Sequence, residues 1–132
     1  MGYDLKALRD GEKFSWRLFY WPRVLDLARI YGWKPAGTLP PRSWPRGKPW
    51  NDAYHANDGG IVTAADALAL AGAVERFLPD LPRASRYPDG IPLSQLAWDR
   101  GFIVAMLSGE PERARLEAFA AYCRRSGGLE IW

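Results

Sequence analysis

Five prolines fall within the segment Lys34–Trp50, which reads KPAGTLPPRSWPRGKPW. Proline fixes φ and has no N–H, so neither a helix interior nor a central strand can run through such a stretch. The chain is therefore divided into an N-terminal part, a long loop with local polyproline character, and a C-terminal part. Long loops without secondary structure are uncommon in compact domains and often carry function. With 132 residues in all, the chain suffices for one core and is short for two, so residues 1–132 are expected to form a single domain that presents the 34–50 loop.

The same loop concentrates the charge. It holds Lys34, Arg42, Arg46 and Lys48 and no acid, while the whole chain has a formal net charge of +3. The remainder is thus close to neutral, and the basic excess belongs to one segment rather than to the fold. Hydrophobic residues make up 48% and charged residues 25%, the balance of a globular chain rather than a disordered one. Seven tryptophans are unusual for this length. Each can bury a large area in a small core or anchor a binding surface. No apolar run is long enough to span a bilayer. The opening MGYDLKALRDGEK has charges where a signal peptide needs an apolar stretch. Lys6 stands where a myristoylation signal needs Ser or Thr. A single cysteine, Cys123, cannot form an internal disulfide, and a cytoplasmic protein is expected.

On either side of the loop the periodicity is legible. GYDLKALRDGEKFSW predicts a strand, a turn at Asp10-Gly11 and a second extended piece from Phe14 to Trp16. YWPRVLDLARIYGW predicts a helix with Pro22 in its first turn, an apolar face of Val24, Leu25, Ala28 and Tyr31, and Gly32 at its end. VTAADALALAGAVERFLPD predicts a helix capped by Thr63, with Asp66 at the reciprocal position of a capping box. Its buried stripe is Ala67, Leu70, Ala71, Val74, Phe77 and Leu78, with Asp66, Glu75 and Arg76 facing out and Pro79 stopping it. LSQLAWDRGFIVAMLSG predicts a third helix, interruptible at Gly101. EPERARLEAFAAYCRRSGGLEIW predicts a fourth, with Pro111 in the first turn, Leu116, Phe119, Ala120 and Cys123 buried, and Gly127-Gly128 ending it before a short strand. That strand can pair with the N-terminal one. The expected class is α+β, mostly α, with about four helices and a small antiparallel sheet joining the two ends of the chain.

The chemistry-bearing residues are few. NDGGIVTAADALAL, from Asn57, has the look of a calcium loop. Setting Gly60 as the sixth residue puts Asp66 at twelve and Asn57 at three, but His55 and Gly59 then occupy positions that need oxygen ligands. No register supplies enough of them, so a capped helix start is the better reading. One His and one Cys, far apart, make no zinc site. No metal and no cofactor is expected. His55, with Tyr54, Asn57 and Asp58 nearby, could form the site of a small enzyme, with His55 as general base, or of a ligand-binding protein, but no nucleophile motif accompanies it and no catalytic residue is assigned. Arg42, Trp44, Arg46, Lys48, Trp50 and Tyr54 are candidates for binding a partner. Arg and Trp dominate protein–protein hot spots. The same ingredients, cations and stacking rings, also suit single-stranded nucleic acid, which stands as the less favoured alternative.

Three blocks in order, YGWKPAGT, YHANDGGIVTAADALALAGAVERFL and FAAYCRRSGGLEIW, resemble small uncharacterised bacterial proteins. These share a GW-x-P-x-GT segment, a Y-x-x-ND-G-x-x-V-T-x-x-DA-x-x-LA helix start and an ending like FC-x-x-GGFEIW. Here Leu129 replaces the usual Phe, Tyr122 precedes Cys123, and the Pro-rich insert after Thr38 is particular to this chain. Small stand-alone proteins of this look resemble immunity proteins of bacterial toxin systems. The resemblance implies a non-enzymatic role in which another protein, a toxin, is bound and occluded.

Overall fold

A computed structural model of the protein describes residues 2–80, 103, 106–107 and 109–132. Its N-terminal hairpin follows from alternation. Tyr3, Leu5 and Ala7 are buried in strand β1, Gly2–Ala7, while the residues between them are exposed. Strand β2, Lys13–Arg17, returns antiparallel with Tyr3 opposite Trp16 and Leu5 opposite Phe14. The C-terminal strand β4, Leu129–Ile131, pairs antiparallel with β1, as its alternation suggested. A further strand was not anticipated: β3, Gly60–Val62, pairs antiparallel with β4. Three residues following a Gly pair are too few to show a period. The sheet order is β2-β1-β4-β3, so the two ends of the chain lie at its centre.

Helix α1 spans Tyr20–Ile30 and buries Trp21, Val24, Leu25, Leu27 and Ala28. It ends at Gly32, whose φ is +94°, with the Trp33 N–H donating to the Ala28 carbonyl at 2.8 Å. Helix α2 spans Ala64–Phe77 and runs into a 3₁₀ turn at Leu78–Asp80. Thr63 caps it, accepting from the Asp66 N–H at 3.2 Å. Helix α3 spans Glu110–Arg125, with acids in its first turn and Arg124 and Arg125 in its last, the arrangement its dipole favours. The α+β class is as expected. The described residues hold three α-helices where about four were expected. The helix expected over 93–109 falls outside the described residues, save Ile103, Met106 and Leu107, which are helical, and of which Ile103 and Leu107 are buried. None of the described helices is long and apolar enough to cross a membrane.

The core lies between one face of the sheet and the helices. Trp21 and Phe119 are fully buried and meet edge to face at 5.8 Å between centroids. Trp16 meets Phe119 at 5.5 Å in the same manner. Burying a ring such as Phe119 contributes roughly 1.5–3 kcal/mol from the area removed from water, and the larger Trp21 and Trp16 contribute more, up to about 6 kcal/mol.

One orientation must be corrected. Asp66, expected on the outer face of α2, is buried at 4% exposure. Helical spacing favours an outward polar side chain here, but partners contributed by the loop before α2 override that preference.

Candidate functional site

Asp66 is the anchor of the long loop. Its Oδ1 accepts from the Trp33 Nε1–H at 2.9 Å and from the Ala36 N–H at 3.5 Å. Its Oδ2 accepts a short bond from the Tyr54 hydroxyl. That hydroxyl in turn accepts from the Gly37 N–H at 2.8 Å. Trp33 and Tyr54 also meet edge to face at 5.1 Å. Burial and the neighbouring carboxylate push the Tyr54 pKa up, so the phenol keeps its proton for this bond. Both ends of the Pro-rich segment are thus fastened to the first turn of α2.

Between those ends the loop is built from two consecutive turns. The Trp44 N–H donates to the Pro41 carbonyl at 2.9 Å and the Lys48 N–H to the Pro45 carbonyl at 3.2 Å. Each turn is an i to i+3 closure with Arg, Arg42 or Arg46, at its second position. The tryptophans hold the turns in place. Trp44 donates its Nε1–H to the Lys48 carbonyl at 3.0 Å. Trp50 donates to the Thr38 carbonyl at 2.8 Å. The two rings meet edge to face at 4.8 Å. The Lys48 ammonium sits 4.5 Å from the centre of the Trp44 ring. Leu39 then bridges to Ile61 of β3 through reciprocal 2.8 Å bonds, extending that edge of the sheet.

The structure therefore brings Arg42, Trp44, Arg46, Lys48 and Trp50 together on one ordered unit. Arg42, Arg46 and Lys48 are exposed, and Trp44 and Trp50 are half-buried. Neither Arg42 nor Arg46 has an ion-pair partner among the described residues. Tyr54, also a partner-binding candidate, is buried and belongs to the anchor.

The residues around His55 are placed otherwise. The His55 side chain is exposed, and its carbonyl accepts from the Tyr3 hydroxyl at 2.9 Å. Asn57 donates its side-chain amide to the carbonyls of Gly2 and Trp132, at 2.9 and 2.8 Å, fastening the two chain ends. Asp58 is half-buried, with its Oδ1 lacking a partner among the described residues. Tyr54 points into the Asp66 anchor. The polar atoms of Tyr54 and Asn57 serve the fold here. Among the described residues no group of three or more metal-ligating side chains comes together. Cys123 is buried, and burial pushes its thiol pKa up.

A separate feature lies at the other edge of the sheet. A cleft of about 730 Å³ is lined by residues that include Trp16, Arg17, Tyr20, Glu112 and Arg115, a volume in the ligand-binding range. Arg115 lies over Phe14 at 4.5 Å and over Trp16 at 5.2 Å. The Tyr20 hydroxyl donates to Glu112 Oε1 at 3.4 Å. Sequence reasoning missed this place because its walls come from the start and the end of the chain. Leu18 and Phe19, between Arg17 and Tyr20 in sequence but outside the lining, are large apolar residues that the fold leaves exposed.

No family model, no curated protein and no solved structure matches the chain.

Proposed function

We propose that this protein is a non-enzymatic protein-binding module that acts in the cytoplasm, an immunity protein that neutralises a bacterial toxin by occlusion. Its contact surface is the loop from Lys34 to Tyr54. The observation that carries the reading is the pair of turns that hold Arg42 and Arg46 at adjacent corners, without acidic partners among the described residues, on a Trp-fastened platform. A loop held in one conformation loses little entropy on binding, so more of its contact energy appears as affinity. Unpaired guanidinium groups suit an acidic patch and accelerate encounter with it. Single-stranded nucleic acid would use the same cations. It would also need open ring faces, and the Trp44 ring already carries Lys48 over it and Trp50 against it.

The experiment is a parallel affinity purification from the native host, with the unaltered protein and an R42E/R46E variant as baits. A protein captured by the first and lost with the second, encoded by the neighbouring toxin-like reading frame and inactivated on binding, is the expected result. Equal capture by both baits, or alanine at Trp44 and Trp50 with protection intact, refutes the assignment of the loop. Binding of single-stranded DNA that falls steeply with salt supports the nucleic-acid alternative instead.

A further inference from the structure

The sheet has a second edge, and its hydrogen-bonding groups can be assigned. Asp4 exchanges backbone bonds with Trp132, N–H to carbonyl at 2.9 and 2.8 Å, so Asp4 turns its main-chain groups toward the β4 side. Main-chain direction alternates along a strand. Tyr3 and Leu5 therefore turn theirs toward β2, where they meet Trp16 and Phe14. The 2.8 Å bond from the Ala7 N–H to the Glu12 carbonyl continues the same series. Lys13, Ser15 and Arg17 must then direct their N–H and C=O groups away from the sheet. No strand lies beyond β2 among the described residues, and no backbone partner for these three residues is found there.

What surrounds this edge has a definite chemistry. Lys13 and Arg17 are exposed along it. Arg115, stacked on Phe14 and Trp16, lines the adjoining cleft with Arg17. None of these three cations has an ion-pair partner among the described residues. The acids of the cleft are already engaged: Asp4 accepts from the Ser15 hydroxyl at 2.6 Å and Glu112 from Tyr20. Immediately past the strand, Phe19 is 75% exposed and Leu18 is 38% exposed. An open ladder, free cations and two exposed apolar side chains thus adjoin one another.

We infer that the free edge of β2 is a docking site for an extended acidic segment of a partner protein, which adds as a fifth strand beside Lys13–Arg17. Side chains alternate along a strand, so its carboxylates on one face meet Lys13 and Arg17, an acid on the other face meets Arg115 above Phe14 and Trp16, and an apolar residue of it packs on Phe19. Strand addition draws affinity from main-chain bonds and specificity from alternate side chains. A second copy of this chain is a poor occupant. In an antiparallel β2–β2 pair centred on Ser15, Lys13 of one copy faces Arg17 of the other, and like charges directly opposite destabilise a pair. The bare edge is thus biased against itself and toward acid. It lies across the sheet from β3, which carries the Leu39 bridge, so the inference stands whether or not the 34–54 loop is an interface.

The test uses synthetic eight-residue peptides with the full-length protein. One alternates Val with Glu, a second alternates Val with Lys, and a third carries Pro at its central positions. Binding is read by fluorescence anisotropy and by amide hydrogen exchange. The Val/Glu peptide is expected to bind and to slow exchange at the amides of Lys13, Ser15 and Arg17, while the Lys and Pro peptides do neither. Ser15→Pro removes the outward N–H together with the hydroxyl bonded to Asp4 and is expected to weaken binding by about tenfold or more. Ser15→Ala, which loses only the hydroxyl contact to Asp4, leaves binding unchanged. R17E/R115E is expected to transfer preference from the Glu to the Lys peptide, a gain that misfolding could not produce. Three results overturn the inference: slow exchange of those amides in the free protein, no binding by the Val/Glu peptide up to about 1 mM, or binding indifferent to both Ser15→Pro and R17E/R115E.

Discussion

Replacing Asp66 by alanine tests how the long loop is held. The carboxylate accepts from Trp33 Nε1–H at 2.9 Å and from the Tyr54 hydroxyl, and all three residues are buried. Alanine leaves both donors without an acceptor in a place water does not reach. A hydrogen bond to a charged group contributes about 1.5–3 kcal/mol, and an orphaned buried donor costs a similar amount. Loss of an acid in the first turn of α2 adds about 0.3–1 kcal/mol. Non-additivity within one network trims the sum, so the expected destabilisation is about 3–5 kcal/mol, a large part of what a domain of this size possesses. Asp66→Asn should cost less, about 1–2 kcal/mol, because its carbonyl still accepts from Trp33 while its NH₂ faces the Tyr54 oxygen. Urea unfolding followed by Trp fluorescence gives both values. Hydrogen exchange at Gly37, whose N–H donates to the Tyr54 hydroxyl at 2.8 Å, reads the loop separately. Faster exchange at Gly37 than the global loss explains is expected in Asp66→Asn. An Asp66→Ala change within about 0.5 kcal/mol of the parent would refute the reasoning, since surface substitutions fall in that range.

Other substitutions probe the remaining contacts. Gly59→Ala puts a Cβ 2.7 Å from the Trp132 ring at a φ of +84°; thermal unfolding should show a loss of about 1–3 kcal/mol, and adding Trp132→Ala should recover only the steric part. The guanidinium of Arg124 lowers the Glu75 pKa below its ordinary value of 4.5. The pair's contribution is therefore present above that value and fades as pH falls through the lowered one. Glu75→Gln should accordingly flatten that part of the acid limb of a stability–pH curve while leaving the neutral-to-alkaline limb unchanged. Cys123, buried at 1% exposure with its thiol pKa raised, should react with a disulfide reagent only at the rate of unfolding; a stoichiometric native reaction within seconds would contradict its placement. Trp44→Ala should change global stability by less than about 1 kcal/mol while speeding exchange at Lys48, because the ring packs on loop residues rather than on the core.

Much of the frame was legible because local signals agree with it. Alternation in Gly2–Ala7, a Thr63 cap and acids and arginines at opposite ends of α3 all point the same way before any tertiary contact is known. Strand β3 was not legible, because a three-residue strand has no period and exists by pairing with β4. Asp66 was misplaced for a related reason. Helical spacing sorts residues by average polarity, whereas Asp66 lies inward because two loop side chains bring it donors. One clue was present: buried indoles and phenols usually find an acceptor, and a chain with seven Trp calls for several, although the buried Trp16 Nε1–H has none among the described residues. Which carboxylate meets which ring depends on closing a loop between residues 33 and 54, and no local pattern encodes that closure. The β2 edge was hidden in another way, since a free edge is defined by the order of strands and not by the composition of any one of them.

The tryptophans also explain how a proline-rich stretch can be ordered without helix or strand. Prolines reduce the freedom of the unfolded loop, which lowers the entropy lost on folding, but they cannot supply ladder bonds. Nε1–H groups of Trp44 and Trp50 bind loop carbonyls instead, and Trp33 and Tyr54 fasten the ends to Asp66. Order here comes from side-chain bonds, each worth about 0.5–1.5 kcal/mol net where the acceptor is a loop carbonyl and about 1.5–3 kcal/mol where it is the Asp66 carboxylate, and each removable singly. A graded series follows: Trp44→Ala, Trp50→Ala and Asp66→Asn should loosen the loop progressively from its tip to its base. If the loop is the contact surface, partner affinity should fall in that same order although Asp66 itself is buried. Uniform affinity across the series, with Gly37 exchange rising as expected, would separate loop order from partner binding and leave the β2 edge as the surface to pursue.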